Sequence, residues 1–563
     1  MNGTGLAVPF VFSVVYFKAR ERGKSMQCDL LYPSDYKQKT KHFLSEAAVV
    51  NLELEYLAGI LCPYNMDYAL KVLSELVTDI EVIRYRQDVL RDFLNVPQLE
   101  GILYKSLHTI YQNARSVYAK VGSTQSFFEI SENLEHIDSF IACIRACHDF
   151  YENYYDKLDS KGAKELARAL EEKYAADEFS TLVSETKKLK EVLESGIKCV
   201  TFAVNLDELM RPSEIALLTV SGEPFRKKGL FEKLFSKEEV TEPLGNVYSR
   251  KSKEGALVAV NERLFAELDE LRGEYAKHFN TALSAYFSSS ISFLTKLEPQ
   301  INFYVGVVNM TERMRQMKLP VCIPEILPFE KRVFECAEMY DTAFACKLYT
   351  SSPMGRLSAE VKTNDCKMNE DEGILILTGS NNGGKTTFTR AAGINQVLAQ
   401  CGLCVGAEAA HISVVDELFV HFPREEEVGI NASRFTEECK EFRTTTEKAT
   451  QYSMVLMNES LSSTTPSECL MIAEELMKIF SHIGVRLIYT THIHDLIGKI
   501  DEINRLNPKS RLCSMTAQCD GDGKPTYRIV KGFTDDSHNA RYIFSRFGIS
   551  YEEYLNRRGK QGE

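Results

Sequence analysis

The sequence predicts a mixed fold, in which a largely α-helical region is followed by a C-terminal α/β domain. Three observations support this prediction. Helical periodicity dominates the chain to about residue 300, strand-like alternation interrupts it near residue 200, and short apolar runs typical of buried parallel strands begin near residue 350. With 563 residues and 44% hydrophobic composition, the chain is long enough for about four domains with their own cores.

The composition is acidic, with 67 Lys and Arg against 79 Asp and Glu and a formal charge of −12. No global positive field therefore draws the protein to a polyanion or an anionic membrane, and any nucleic-acid contact must be local. The 15 cysteines lack the dense, regular spacing of a disulfide framework, which favours a reducing, cytoplasmic location. Cys401 and Cys404 have no second pair or His cluster nearby, so we expect buried thiols rather than a metal site.

The N-terminus carries an apolar stretch over residues 6–17. It is too short to span a bilayer, which takes ~20 residues, and no basic residues precede it as in a secretory signal. We expect no membrane anchor and assign residues 1–40 to an N-terminal extension. Because Met26 is followed by ordinary soluble sequence, we hypothesise that residues 1–25 are an upstream extension of the reading frame.

Long amphipathic helices are expected between residues 130 and 285. One helix face is formed by apolar residues at i, i+4, i+7, i+11 and i+14, namely Ile130, Leu134, Ile137, Ile141 and Ile144. Two heptad-like seams follow, the first at Leu182, Leu189 and Val192, and the second at Leu264, Leu268, Leu271 and Tyr275. Two long helices are therefore available to pack together.

Between these seams the period changes to that of strands. Residues 200–206 alternate in polarity, and residues 215–220 are a second β-rich run, so a small β-containing insertion is expected at about 200–255. Its loop holds the most basic stretch of the chain: Arg226, Lys227, Lys228, Lys233, Lys237, Arg250, Lys251 and Lys253. Charge alone leaves two interpretations open, a solvated surface loop or a contact for a phosphate backbone.

Three apolar runs in the C-terminal part, over 373–378, 454–457 and 485–490, are each followed by a helical pattern. This order predicts a mostly parallel sheet covered on both faces.

The first run leads into Gly379-Ser-Asn-Asn-Gly-Gly-Lys-Thr386, which satisfies the P-loop pattern G-x-x-x-x-G-K-[ST]. In such a loop, backbone N–H groups and a helix N-terminus surround phosphate oxygens. Lys385 can reach the β- and γ-phosphates, and Thr386 can ligate Mg²⁺. We therefore predict ATP and Mg²⁺ as cofactors, with the nucleotide held by Gly379, Ser380, Asn381, Asn382, Gly383, Gly384, Lys385, Thr386 and Thr387.

The second and third runs end in candidate catalytic residues. Glu459 is placed as a general base, whereas Asn458 occupies the position where an Asp usually helps to hold Mg²⁺. An amide oxygen lacks the full charge, so we expect weak Mg²⁺ organisation and slow turnover. His492 lies at the same carboxyl edge and can sense the γ-phosphate or orient the attacking water. The alternatives are a helix N-terminal acid without a catalytic task and a structural histidine.

These motifs resemble those of the MutS family of DNA mismatch-repair ATPases. Residues 378–386 are close to the family's TGPNMGGKS/T loop, Ser433-Arg-Phe435 with Glu438 is similar to its STF…E segment, and residues 449–459 are similar to its Walker-B strand. Thr490-Thr-His492 and residues 79–88, which resemble the opening of the family's helical core, extend the likeness from roughly residue 40 to 550.

The resemblance implies an all-α core with a long helical lever, a DNA-clamping β-element at the far end of the lever, and a C-terminal P-loop ABC-like ATPase domain that dimerises. It also implies that Ser433 reaches the partner's nucleotide in a homodimer, and that the basic loop meets DNA. The expected boundaries are 41–129 and 286–350 for the two parts of the core, 130–285 for the lever with its insertion, and 351–563 for the ATPase and dimerisation domain.

The chain also departs from the family pattern. No room precedes residue 40 for the family's mismatch-reading domain, with its Phe-x-Glu wedge, or for the connector, so direct mispair recognition is not expected. Residues 460–464 replace the glycine-rich turn after the Walker-B acid, which together with Asn458 predicts inefficient hydrolysis. The nuclease-type tail of some relatives is not expected either.

Two functions remain open at this stage. The first is a homodimeric, ATP-binding DNA clamp and weak ATPase that recognises backbone shape or branched structure. The alternative is a nucleotide-gated structural or interaction protein without significant hydrolysis. An SMC-like ATPase is disfavoured, because the two nucleotide motifs lie within residues 379–459 and cannot enclose a long coiled coil.

Overall fold

The structure is a computed structural model. It describes residues 28–36, 41–99, 127–195, 199–206, 212–221, 296–351, 361–380, 383–422, 431–461, 465–520 and 524–532, with short pieces at 101, 208, 210, 248–249, 551 and 553–555. Within these ranges, no helix is long and apolar enough to cross a membrane.

Helices dominate the N-terminal half, as the periodicity predicts. They span Glu46–Asn51, Leu54–Leu61, Met66–Ser74, Ile80–Asn95, Phe127–Tyr154, Lys161–Ala175 and Asp177–Ser195, and residues 296–316 are also helical. Side-chain caps explain where several of them begin, because the Ser45, Asp79 and Ser160 oxygens accept hydrogen bonds from first-turn N–H groups. Ile137, Ile141 and Ile144 are buried along one face of the helix Phe127–Tyr154.

The region expected to form a lever is divided. After Phe127–Tyr154, the chain turns back through Lys161–Ala175, which packs closely on the helix Ile80–Asn95: a Cβ at Gly162 would lie 2.7 Å from Tyr85 Oη. Asp92 holds the turn by accepting hydrogen bonds from Ser160 N at 2.9 Å and Ser160 Oγ at 2.6 Å. The first seam lies on Asp177–Ser195, whereas the second seam, at 264–275, falls outside the described residues.

The strands are β1 (Cys199–Leu206), β2 (Pro212–Ser221), β3 (Tyr248–Ser249), β4 (Glu325–Leu327), β5 (Phe334–Met339), β6 (Asn364–Met368), β7 (Ile374–Gly379), β8 (Ala409–Ser413), β9 (Leu418–His421), β10 (Met454–Asn458), β11 (Arg486–Thr490), β12 (Leu512–Cys519) and β13 (Pro525–Lys531). The first three form an antiparallel sheet, which places strands where the β-containing insertion was predicted.

The central sheet has the order β13-β12-β7-β11-β10-β9, and only β13 runs antiparallel to its neighbour. Its strands are apolar on both faces. Leu375 and Leu377 of β7 enter one hydrophobic core, whereas Ile374 and Ile376 enter another. This is why the predicted strands read as continuous apolar runs. The C-terminal helices span Thr342–Ser351, Lys385–Gln400, Asn431–Lys448, Pro466–Ile483 and Ile500–Asn504.

A second sheet, in the order β4-β8-β5-β6, was not predicted. Strands β4 and β5 lie within residues 286–350, where only helix was expected, yet they pair with β8 and β6 of the C-terminal part. Strands of three to six residues leave little periodic signal, and their partners are distant in sequence. The expected boundary at residue 350 therefore runs through one sheet.

Residues 28–36, assigned in the sequence to an extension, pack on the helical core. Leu30 is fully buried, its N–H donates to Gln300 Oε1 at 2.7 Å, and its carbonyl accepts from Tyr304 Oη at 2.9 Å. The helices at 46–95 and the C-terminal sheets share one hydrophobic core. The expected extension over 1–40 therefore contains a segment that belongs to the folded core.

Candidate functional site

The predicted motifs converge at the carboxyl edge of the central sheet. Asn458 of β10 is in register with Thr490 of β11, and Thr490 is in register with Leu377 of β7. Because parallel strands end at the same edge, the loop after Leu377, the acid after Asn458 and the histidine after Thr490 become neighbours.

The glycine-rich loop lies against β12. A Cβ at either Gly379 or Gly383 would come within 2.9 Å of Ala517 Cβ, so neither position has room for a side chain. Gly379 and Gly384 also have φ of +124° and +88°, a backbone region that glycine adopts readily. Asn381 and Asn382 lie outside the described residues.

Lys385 begins the helix that follows this loop, and its side chain folds back into it. Nζ donates to Gly379 O at 2.7 Å and Ser380 O at 3.0 Å, and the residue is only 4% exposed. These two loop carbonyls hold the ammonium group, which has three N–H donors, near the space where the sequence predicts phosphates. Thr387, in the same helical turn, is half-buried.

Thr386 and Asn458 bring two oxygen atoms together. Thr386 Oγ1 donates to Asn458 Oδ1 at 3.1 Å, and Asn458 is 5% exposed. Adjacent ligands of an octahedral Mg²⁺, each at about 2.0–2.1 Å from the ion, lie roughly 3 Å apart. The two side chains therefore fit one Mg²⁺ coordination shell, directly or through a metal-bound water.

Glu459 and His492 form a hydrogen-bonded pair, with His492 Nε2 at 3.2 Å from Glu459 Oε1. The His492 side chain is 42% exposed and that of Glu459 is 38% exposed, so a water or substrate can reach both. The Glu459 backbone is fixed by its N–H, which donates to Thr490 O at 2.8 Å. The acid and the histidine thus lie side by side at the ends of two adjacent strands.

The turn after Glu459 holds left-handed backbone without glycine. Glu459 and Leu461 have φ of +50° and +69°, where non-glycine residues pay a cost of order 1–3 kcal/mol. Ser460 anchors this turn, since its Oγ donates to His421 O at 3.3 Å and its carbonyl accepts from Tyr489 Oη at 3.3 Å. The described start of the segment that replaces the glycine-rich turn, residues 460–461, is therefore held by its tertiary contacts.

Tyr527, which the sequence did not single out, lies beside the P-loop. A Cβ at Gly384 would be 3.4 Å from Tyr527 Cδ1, and Tyr527 is 45% exposed. Its φ of +58° within β13 is unusual for an aromatic residue. Asn364 holds it there by donating to Tyr527 O at 3.0 Å while accepting from Ile529 N at 2.8 Å. A tyrosine in a strand gives no sequence signal of this placement.

The structure does not describe the side chains of the predicted DNA-binding residues or of Ser433. Ser433 lies on the helix Asn431–Lys448, whose first-turn side chains are outside the described residues. All the predicted residues of the basic loop also lie outside the described residues: Arg226, Lys227, Lys228, Lys233, Lys237, Arg250, Lys251 and Lys253.

Cys401 and Cys404 are buried thiols, as expected. Burial raises the pKa of Cys401 to about 12 and that of Cys404 to about 11, which keeps both protonated near neutral pH. Among the residues that the structure describes, no group of three or more His, Cys, Asp or Glu side chains is arranged to hold a metal ion.

A buried parallel strand, a glycine-rich loop and a helix follow one another here, and polar residues lie at the ends of the two next strands. This is the order of elements that the P-loop pattern of the sequence predicts. Two family models match the chain, the MutS2 N-terminal domain over residues 78–317 and MutS domain V over residues 375–542. The chain belongs to the MutS family.

Among the similar proteins are two named "DNA mismatch repair protein MutS". The one from Geobacillus thermodenitrificans is 30% identical over 179 residues, covering 31% of this chain and 19% of that protein. The one from Granulibacter bethesdensis is 34% identical over 146 residues, covering 26% and 16%. The "DNA mismatch repair protein MSH7" of Arabidopsis thaliana is 29% identical over 172 residues, covering 29% and 16%. The chain thus matches less than a fifth of the length of these relatives.

Proposed function

We propose that this protein is an ATP-binding, DNA-binding member of the MutS family that hydrolyses ATP slowly. One observation carries the proposal: Lys385, the Thr386–Asn458 pair and the Glu459–His492 pair lie together at the carboxyl edge of one parallel sheet. The match to MutS domain V supports nucleotide binding at this edge.

In this proposal the P-loop residues bind the nucleotide through backbone N–H groups and the Lys385 ammonium. Thr386 and Asn458 hold Mg²⁺ through their oxygens. The Tyr527 ring, exposed beside Gly384, offers an apolar surface for the nucleoside. Bound Mg²⁺-ATP supplies the γ-phosphoryl group that is transferred to water.

Glu459 is the proposed general base, since it directly follows Asn458 in the chain and its carboxylate is partly exposed. His492 donates to Glu459 Oε1 and so orients the carboxylate, and its ring is itself exposed enough to meet a phosphate or an attacking water. Asn458 contributes no charge to Mg²⁺, which is the reason to expect slow turnover.

Asn458 also favours a second candidate. If Mg²⁺ is held too weakly for hydrolysis, ATP acts as a switch that holds a dimer closed, and the protein is a nucleotide-gated interaction protein. The two candidates differ in turnover, not in nucleotide binding.

The proposed DNA contact is the basic loop at 226–253, because an acidic chain needs a local concentration of Lys and Arg to bind a polyanion. We propose a homodimer formed through the ATPase domain, with Ser433 near the partner's nucleotide, and a clamp that recognises backbone shape or branched structure rather than single mispairs. The names of the relatives support a link to DNA repair.

The first test is the binding of a non-hydrolysable ATP analogue to wild type, Lys385→Ala and the control Lys187→Ala, whose side chain is 80% exposed on a distant helix. We expect Lys385→Ala to abolish binding and the control to leave it unchanged. Binding to Lys385→Ala within twofold of wild type would show that the P-loop assignment is wrong.

The second test is steady-state hydrolysis with Glu459→Gln. Measurable wild-type turnover that falls by about 10²-fold or more in the variant supports the weak ATPase. Tight binding of the ATP analogue with no hydrolysis by wild type or by Glu459→Gln would favour the nucleotide-gated interaction protein. A gel-shift panel over duplex, mispaired, four-way-junction and single-stranded DNA, with and without ATP, tests the nucleic-acid part separately.

A further inference from the structure

Residues 41–77, here called the N-terminal helical segment, contact the P-loop helix Lys385–Gln400 from Arg390 to its C-terminal end. This segment precedes both family-model matches. Near the middle of the helix, a Cβ at Gly393 would be 2.6 Å from Leu52 Cδ2. At its C-terminal end, Gln400 Nε2 donates to Val77 O at 2.9 Å, and the Cys401 thiol donates to Val72 O at 3.4 Å.

A cluster of charged side chains joins the segment to the N-terminal half of the same helix. Arg390 NH1 is 2.8 Å from Glu53 Oε1, and Arg390 Nε is 2.5 Å from Asp341 Oδ2. The second oxygen of Glu53 pairs with Lys347 Nζ at 2.5 Å. The Asp341 side chain is fully buried and that of Arg390 is 18% exposed, so solvent screens this pair only weakly, whereas Lys347 at the edge of the cluster is 46% exposed.

Glu53 occupies the junction between the helices Glu46–Asn51 and Leu54–Leu61, with φ of +54°. A left-handed backbone at a non-glycine residue persists only where surrounding contacts impose it. The Glu53 side chain is part of those contacts through Arg390 and Lys347. A displacement of Arg390 therefore acts directly on the angle between two helices of the segment.

The other end of the coupling is Lys385. Its Nζ donates to two loop carbonyls, and a bound phosphate would compete with them for the same ammonium group. Arg390 lies five residues further along the same helix, about one and a half turns at 3.6 residues per turn. The first turns of the helix thus connect Lys385, whose partners a bound phosphate would change, to the ion cluster around Arg390.

We infer that the Arg390–Glu53 ion pair couples the nucleotide state of the P-loop to the conformation of the N-terminal helical segment, with Arg390 as the positioning residue. The inference rests on the proposed nucleotide binding. It assigns to residues 41–77 a role as a nucleotide-responsive part of the ATPase domain.

The test is hydrogen exchange of peptides covering residues 54–74 in the full chain, with and without a saturating non-hydrolysable ATP analogue and Mg²⁺. In wild type we expect the analogue to change the exchange rate of this segment by about tenfold, within the range of typical coupling between sites. In Glu53→Gln, with the analogue still saturating, we expect a change of less than about twofold. Glu171→Gln is the control, because it changes a carboxylate of similar exposure that contacts His148 between the helices Phe127–Tyr154 and Lys161–Ala175, and it should respond like wild type.

Arg390→Lys is the second variant, should Glu53→Gln not fold. It keeps the charge near Asp341 but cannot span both acids as the guanidinium does, so it should also lose the response. An unchanged exchange rate in wild type with bound analogue, or a full response in either variant, would overturn the inference. Saturation is measured separately by equilibrium binding. Failure of wild type to bind the analogue would remove the proposed function itself, and the coupling with it.

Discussion

Replacing Asn458 by Asp introduces a carboxylate at a position that is 5% exposed and 3.1 Å from Thr386 Oγ1. Without Mg²⁺, that charge is costly to bury, although the Thr386 hydroxyl can donate to it. We expect a loss of about 1–2 kcal/mol in the free energy of unfolding, with a melting temperature lower by about 1–2 °C for a chain of 563 residues.

With Mg²⁺ bound, we expect the new carboxylate to be favourable rather than costly. A carboxylate and a divalent cation about 4 Å apart attract by roughly 8 kcal/mol at an effective dielectric constant near 20, and desolvation offsets most of this. A net gain of about 1–3 kcal/mol corresponds to roughly 5- to 150-fold tighter Mg²⁺ binding in the nucleotide complex. We therefore expect the Mg²⁺ midpoint for ATP hydrolysis to fall by about tenfold or more, and the turnover rate to rise.

The assay is an Mg²⁺ titration of hydrolysis together with thermal unfolding, with and without Mg²⁺ and nucleotide. Asn395→Asp is the matched control, because the Asn395 amide is buried like that of Asn458. Asn395 lies on the P-loop helix and contacts the backbone of Tyr340, Ala391 and Gly406 instead of Thr386. It should lose stability without gaining Mg²⁺ affinity. An Mg²⁺ midpoint in Asn458→Asp within twofold of wild type would refute the reasoning about the metal.

Three further predictions concern the nucleoside, the core and DNA. Tyr527→Ala should weaken nucleotide binding by about tenfold, whereas Tyr527→Phe keeps the ring and should bind within twofold of wild type; equal affinities in calorimetry would exclude a contact with the ring. Gly306→Ala should lower the free energy of unfolding by about 3 kcal/mol or more, because its Cβ would lie 1.9 Å from Leu61 O, a backbone atom that cannot move alone. Denaturant unfolding measures the change. A variant as stable as wild type would show that the two helices are not packed so closely. Binding to duplex DNA should show a slope of log K against log salt of about −4 to −5. Replacing Arg226, Lys227 and Lys228 of the basic loop by Ala should make this slope less steep, and an unchanged slope would indicate that DNA contacts another surface.

Much of the nucleotide-site region could be predicted because its signals are local. The strand before Gly379, the loop and the helix after it are contiguous, and β7, β10 and β11 are apolar on both faces because each lies between two cores. Their shared carboxyl edge follows from parallel pairing. The position of Asn458 beside Thr386 could therefore be expected before any coordinates, and the structure adds their separation.

What only the tertiary structure decided depends on contacts that are distant along the chain. Strands β4 and β5 are short and take their partners from residues 364–413, so their own sequence does not distinguish them from connecting segments. Tyr527 reaches the P-loop through an irregular strand pairing and the side chain of Asn364. The Arg390–Glu53 pair joins residues 337 positions apart. Periodicity reports how a segment alternates between core and solvent, but the partner of a buried charge or a short strand is set by how separate segments pack against each other.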